Sequence, residues 1–128
     1  MDVLLDTQLV VWWHLAHPRL TPAIRERIEK ADTVFISQVS LWELAIKVSS
    51  GKLHFDLPQF CRRTPEEGFR WLALRESHIL ASAQLPFPSD HRDPFDRMLV
   101  AQALTEPLIL LTTDRDLAAY GPTIHVLI

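Results

Sequence analysis

Three short, uninterrupted apolar runs, "VLL" at 3–5, "VFI" at 34–36 and "LILL" at 108–111, constrain the fold of this chain more than any other feature. A strand with one face in water alternates apolar and polar residues, whereas a run that is apolar throughout needs cover on both faces. Between these runs lie stretches of helical length with apolar residues three or four apart: "TQLVVWWHLA", "SLWELAIKVSSG", "ESHILASAQL" and "FDRMLVAQAL". Strands that alternate with helices and are buried on both sides predict an α/β sandwich, with a central, mainly parallel sheet of about four to five strands. "GFRWLAL" and "TIHVLI" supply the remaining strands. "RLTPAIRERIEKAD" is read as a surface helix capped by Thr21 with Pro22 at its first position. "GKLHFDLPQF" leads into a short helix, "PFPSDHRDP" is a loop, and "DLAAY" is a last short helix.

The 128 residues fit one domain, 1–128, large enough to bury a core without cross-links. At 48% hydrophobic and 23% charged, the chain lies far from the composition of disordered proteins. A lone cysteine, Cys61, excludes an internal disulfide and a multi-cysteine zinc site, in keeping with a reducing compartment. Asp2 and Asp6 stand where a secretory signal would want positive charge, and no apolar run is long enough to span a bilayer, so a cytoplasmic protein is expected. The formal charge of −3 argues against a broad basic face for nucleic acid, but not against nucleic acid as a substrate. Two divalent cations, about +4, would turn −3 into about +1.

In parallel sheets the functional crevice lies at the carboxyl ends of the strands. Asp6 follows "VLL" and Asp114 follows "LILLTT", while Glu43 and Asp96 fall in the first turns of helices expected to begin near Ser40 and Pro94. Each acid has a local explanation. "SLWE", Ser40 to Glu43, reads as a capping box; in "DPFD", Asp93 caps, Pro94 opens the helix and Asp96 sits in its positive first turn; Asp6 and Asp114 also suit helix caps. Taken together the four call for something more. Two carboxylates roughly 5 Å apart at an effective dielectric of about 20 repel by roughly 3 kcal/mol, so four on one rim need a compensating cation. Oxygen donors without cysteine suit Mg2+ or Mn2+ better than zinc.

Other features point less sharply. His14 and His17 share a helix face, but no third ligand falls in phase for zinc; His91, in "DHRDPFD" near the proposed site, is the more interesting histidine and reads as a surface-loop residue. Trp12, Trp13, Trp42 and Trp71 read as core or partner-interface residues, with base stacking as the alternative. Lys47, four residues after Glu43, either forms a helical ion pair or meets substrate. Gly51, Gly68 and Gly121 are isolated, so no phosphate-cradling glycine loop exists, and no G-x-S-x-G elbow occurs.

"LLDTQLVVWW", "ISQVSLWELAIKVSSGKL", "LPFPSDHRDPFDRMLVAQAL" and "ILLTTDRDLAAY" resemble, in order, the signature segments of the PIN-domain ribonucleases, most closely the VapC-type toxins of prokaryotic toxin–antitoxin pairs. The resemblance spans nearly the whole chain. It implies a PIN-like fold and an acidic quartet of Asp6, Glu43, Asp96 and Asp114 holding one or two Mg2+ or Mn2+ ions for RNA phosphodiester hydrolysis. Asp116 would be an auxiliary metal ligand, and the hydroxyls of Thr7, Ser40 and Thr113 would anchor ligand carboxylates or metal-bound water. Arg92 and Arg97 would either approach RNA phosphates or pair with neighbouring acids. The resemblance further implies a homodimer neutralised by a cognate VapB-type antitoxin, with no membrane association. The rival readings are a non-catalytic α/β partner-binding module, a metal-dependent nuclease acting on DNA and, more weakly, a receiver-type phosphotransfer domain.

Overall fold

The computed structural model describes residues 1–127, apart from the side chain of Ser89. Five strands, β1 (Asp2–Leu5), β2 (Thr33–Ser37), β3 (Arg70–Leu72), β4 (Ile109–Thr112) and β5 (Ile124–Val126), form one sheet in the order β3-β2-β1-β4-β5, and every pairing is parallel. The most apolar strands, β1 and β4, lie inside the sheet, with Leu4 in register with Phe35 on one side and Leu110 on the other. The chain builds outward from β1 to β2 and β3, then returns to add β4 and β5 on the opposite side. The strand order therefore reverses between β1 and β4, where the carboxyl ends of parallel strands open a crevice.

Six α-helices cover the sheet: α1 (Thr7–Leu15), α2 (Pro22–Glu29), α3 (Gln38–Ser49), α4 (Leu57–Glu66), α5 (Glu76–Ala83) and α6 (Pro94–Thr105). Alternate strand residues point to opposite faces. Val3, Leu5, Val34 and Ile36 pack with Leu9 and Val10 of α1, Ile24 and Ile28 of α2, and Phe60 of α4. Leu4, Leu72 and Leu110 pack instead with Val39 of α3, Leu99, Val100 and Ala103 of α6, and Leu117. Leu4, Leu99 and Leu110 have no exposed surface, and truncating one to alanine should cost about 2–5 kcal/mol.

Three local expectations are corrected. The helix expected to start near Ser40 begins at Gln38, because Ser37, the last residue of β2, accepts the Val39 N–H (3.0 Å) and caps it. Ser40 and Glu43 thus form no capping box, and Glu43 lies in the second turn. "GFRWLAL" is strand only over Arg70–Leu72. The segment around "DLAAY" is a 3-10 helix, Arg115–Tyr120, opened by Asp114, which accepts the Asp116 N–H. Thr21, Asp56 and Asp93 cap α2, α4 and α6 through their side chains, and Thr21 and Asp93 are the caps expected there.

Candidate metal centre

Asp6 leaves the end of β1 and caps α1: its Oδ1 accepts the Leu9 N–H (2.8 Å), and its Oδ2 accepts the hydroxyl of Thr112. The same Thr112 oxygen accepts the Asp114 N–H (3.0 Å), so one side chain at the end of β4 ties both strand exits together. Thr113, the hydroxyl expected to serve here, lines the cavity. Parallel register would have identified Thr112: Leu5 pairs with Leu111, so the residues that follow them stand side by side. Asp6 is 5% exposed, and its pKa is pushed up to about 6, chiefly by burial and further by Asp114 and Glu43, against the opposing bonds from Thr112 and Leu9.

Asp96 enters from the first turn of α6. Asp93 Oδ1 accepts the N–H groups of Phe95 (2.9 Å) and Asp96 (3.0 Å), and Pro94 occupies the first turn. These contacts fix the Asp96 backbone and leave its carboxylate facing the crevice. Burial raises its pKa to about 6, with Asp93, Asp6 and Glu43 adding to the shift and His91 opposing it. Glu43 comes from α3. Its Oε2 pairs with Lys47 Nζ (3.1 Å), as the i,i+4 spacing allowed, while Oε1 is buried without a hydrogen-bond partner among the described residues.

Asp6, Glu43, Asp96 and Asp114 line one cavity of about 510 Å³ at the switch point, and Lys47 and Lys52 stand on its wall. The donor set fits a hard divalent cation. It is rich in carboxylate oxygen, two of the acids resist ionisation without a counter-charge, and a buried carboxylate oxygen lacks a partner.

Several other expected site residues serve differently. Asp116 is exposed, outside the cavity lining, and its N–H donates to Asp114 Oδ1 (3.0 Å). Thr7 and Ser40, both buried, bond to each other (2.9 Å) and tie α1 to α3 instead of anchoring a carboxylate. Arg97 pairs with no acid among the described residues. It is buried, donates to the carbonyls of Pro86, Ser82 and Leu85 and to the Tyr120 hydroxyl, and lies over the Phe87 ring. Arg92 is exposed and reaches Asp90 (3.3 Å). His14 packs against Phe55 and Phe60, and His17 stacks on Trp12. Trp12 is buried in the core, whereas Trp42 is exposed against Phe95.

His91 is the main surprise. Its side chain is only 12% exposed and stands beside the acids, with Nε2 3.4 Å from Asp96 Oδ2 and Nδ1 3.0 Å from the Tyr120 oxygen. One ligand atom from each of His91, Asp96 and Asp114 falls within 4.8 Å of the others. Its place three residues before the Pro94 that opens α6 was the available signal.

The sequence model of the PIN domain matches residues 3–121. The chain belongs to the PIN-domain family. Among proteins similar to this PIN domain, ribonuclease VapC22 of Mycobacterium tuberculosis is 30% identical over 121 residues, 92% of this chain and 91% of that protein. Among solved structures, VapBC2 from Rickettsia felis, bound to a DNA fragment from its promoter, aligns with a TM-score of 0.70 at 18% identity, covering 99% of this chain and 98% of that one. FitAcB from Neisseria gonorrhoeae aligns at 0.69 and 20% identity, covering 97% and 96%. Both likenesses concern the fold of the PIN domain: the five-stranded parallel sheet between helical layers.

Proposed function

We propose that residues 1–128 form one PIN domain that acts as a metal-dependent endoribonuclease, the toxin of a toxin–antitoxin pair, hydrolysing RNA phosphodiester bonds. The observation that carries this reading is the convergence of Asp6, Glu43, Asp96 and Asp114 on one cavity, with Asp6 and Asp96 both raised to about 6. Four acids from β1, α3, α6 and the exit of β4 exceed what capping requires, since Glu43 caps nothing.

The residues that would hold Mg2+ or Mn2+, one ion or two, are Asp6, Glu43, Asp96 and Asp114. When bound, such a cation supplies charge neutralisation at the scissile phosphate and a lowered pKa for an attacking water. The chain's own part is pre-organisation. Thr112 and the Leu9 N–H hold Asp6 in one rotamer, and Asp93 fixes the turn that presents Asp96. Lys47 and Lys52, on the cavity wall, offer positive charge to the flanking phosphates. Asp116 and Arg92, both exposed, are proposed as weaker contributors to ion and RNA binding respectively, whereas Arg97 supports the loop.

Similar solved structures include VapBC2 and a toxin–antitoxin complex from Klebsiella pneumoniae, which supports a cognate antitoxin as this chain's partner; a homodimer is proposed as its working form from the family resemblance alone. No helix among the described residues is long and apolar enough to cross a membrane.

The decisive test incubates purified protein, freed of co-purifying partner, with total cellular RNA and Mg2+ or Mn2+, beside an EDTA control and Asp96→Asn. Discrete fragments that vanish in both controls are expected. Intact RNA in every lane, with folding and metal binding demonstrated, would remove the ribonuclease assignment.

A further inference from the structure

Resting on the metal-centre reading above, we infer that His91 is a nitrogen ligand to the divalent cation, completing an ion position with Asp96 and Asp114 that favours Mn2+ over Mg2+.

The first support is a distance. His91 Nε2 and Asp96 Oδ2 are 3.4 Å apart, beyond the roughly 2.7–3.2 Å of an N–H···O hydrogen bond. Neighbouring donors each about 2.1–2.2 Å from one octahedral ion stand about 3.0–3.1 Å apart. The pair is thus too far apart for a good hydrogen bond and within a few tenths of an ångström of the spacing of two ligands on one ion. Asp114 brings a third donor atom within 4.8 Å of both.

The second support is that the imidazole is held from behind. Nδ1 lies 3.0 Å from the Tyr120 oxygen, the two rings meet edge to face, and the same oxygen accepts from Arg97 Nη1 (3.1 Å). Arg97 is anchored in turn by the carbonyls of Ser82, Leu85 and Pro86. A ligating histidine characteristically gives its other ring N–H to a fixed oxygen, which sets the tautomer and turns the free lone pair toward the ion. With Nδ1–H donating to Tyr120, the lone pair of Nε2 points at Asp96 and Asp114. This also gives the buried Arg97 a purpose: it is a positioning residue for His91 through Tyr120.

The metal preference follows from ligand chemistry. Mg2+ takes oxygen donors and gives up water reluctantly, whereas Mn2+, a first-row transition ion, tolerates an imidazole among its oxygen ligands better than Mg2+ does. Asp96 and Asp114 are shared between this group and the cavity that Asp6 and Glu43 also line.

The test loads the full-length protein with Mn2+ and records electron spin-echo modulation, which detects directly coordinated 14N, alongside calorimetric titration of Mn2+ and Mg2+. Wild type should show nitrogen coupling that disappears in His91→Gln, with Mn2+ affinity falling about tenfold or more and Mg2+ affinity falling less. Tyr120→Phe should keep the coupling and weaken Mn2+ binding by a smaller factor. Circular dichroism and thermal melting check that each variant folds. Bound Mn2+ without nitrogen coupling, or coupling that survives in His91→Gln, overturns the assignment of His91 and leaves the ribonuclease reading standing. Failure of the wild type to bind either ion overturns both.

Discussion

Thr112, the last residue of β4, gives its hydroxyl hydrogen to Asp6, the residue that leaves β1, and its oxygen accepts the Asp114 N–H. One small side chain therefore fixes the distance between two of the four acids. Thr112→Val keeps the shape and removes both bonds. We expect a loss of about 1–3 kcal/mol in stability, because the Asp114 N–H loses its acceptor and Asp6 its donor. The Asp6 pKa should move above about 6, since Thr112 is the strongest of the contacts lowering it. Urea denaturation and NMR titration of the carboxyl carbons check the two effects separately; an unmoved Asp6 titration would contradict the role given to Thr112.

Removing a charge from the cluster should help the metal-free fold. Asp96→Asn eliminates a carboxylate whose pKa is raised to about 6 by burial, Asp93, Asp6 and Glu43. At pH 7 without divalent cation, the variant should be more stable than wild type by about 1–3 kcal/mol. The rise in melting temperature that Mn2+ gives the wild type should largely disappear. Paired thermal melts with EDTA and with Mn2+ read both effects, and a less stable metal-free variant would count against electrostatic strain at this position.

The same strain fixes the sign of the pH dependence. Asp6 and Asp96 have folded-state pKa values of about 6 against 3.8 as the ordinary value, so between these limits the folded chain binds more protons than the unfolded one. Below pH 3.8 the two groups carry no penalty. Their contribution to stability then falls as pH rises and is fully lost above about 6, amounting to about 3 kcal/mol for either group alone. Divalent cation should cancel this loss, so Mn2+ stabilisation should grow from pH 5 to 7. Melting curves across that range, with and without Mn2+, are the check, and a cation effect independent of pH would contradict it.

Two cations of the site region should respond in opposite ways to truncation. Arg97 is buried and its guanidinium donates to three backbone carbonyls and Tyr120, so Arg97→Ala should cost about 3–5 kcal/mol through the orphaned acceptors. Lys47 is exposed, and its ion pair with Glu43 is a helical i,i+4 contact, so Lys47→Ala should change stability by about 0.5 kcal/mol or less. Its expected effect is instead a weaker hold on RNA, read as reduced affinity for a single-stranded oligonucleotide in EDTA. Equal losses of stability in the two variants would refute this division.

The α/β class and a mainly parallel sheet of about four to five strands were legible in the sequence, as was Asp6 as an acid at a strand exit, because each follows from a pattern local to a few residues, whereas Glu43, Asp96 and Asp114 were joined to it by the family resemblance. Unbroken apolar triplets require cover on both faces, and an acid directly after such a strand must lie at its carboxyl end. The caps at Asp6, Thr21 and Asp93 were legible for the same reason, since capping is decided within three or four residues. Which of two serines, Ser37 or Ser40, starts α3 was settled by contacts across the fold. Both fit a local capping pattern, and the choice went to Ser37 because its hydroxyl also reaches Gln102 (2.6 Å), a residue 65 positions away. Distance along the chain likewise hid the pairing of Thr112 with Asp6 and the packing of Arg97 against Phe87 and Tyr120, whereas His91 is five residues from Asp96 and its burial was fixed by the contact with Tyr120. A hydroxyl, a guanidinium and an imidazole carry no local periodicity, and their roles were fixed only when strand register and helix packing set which groups they met.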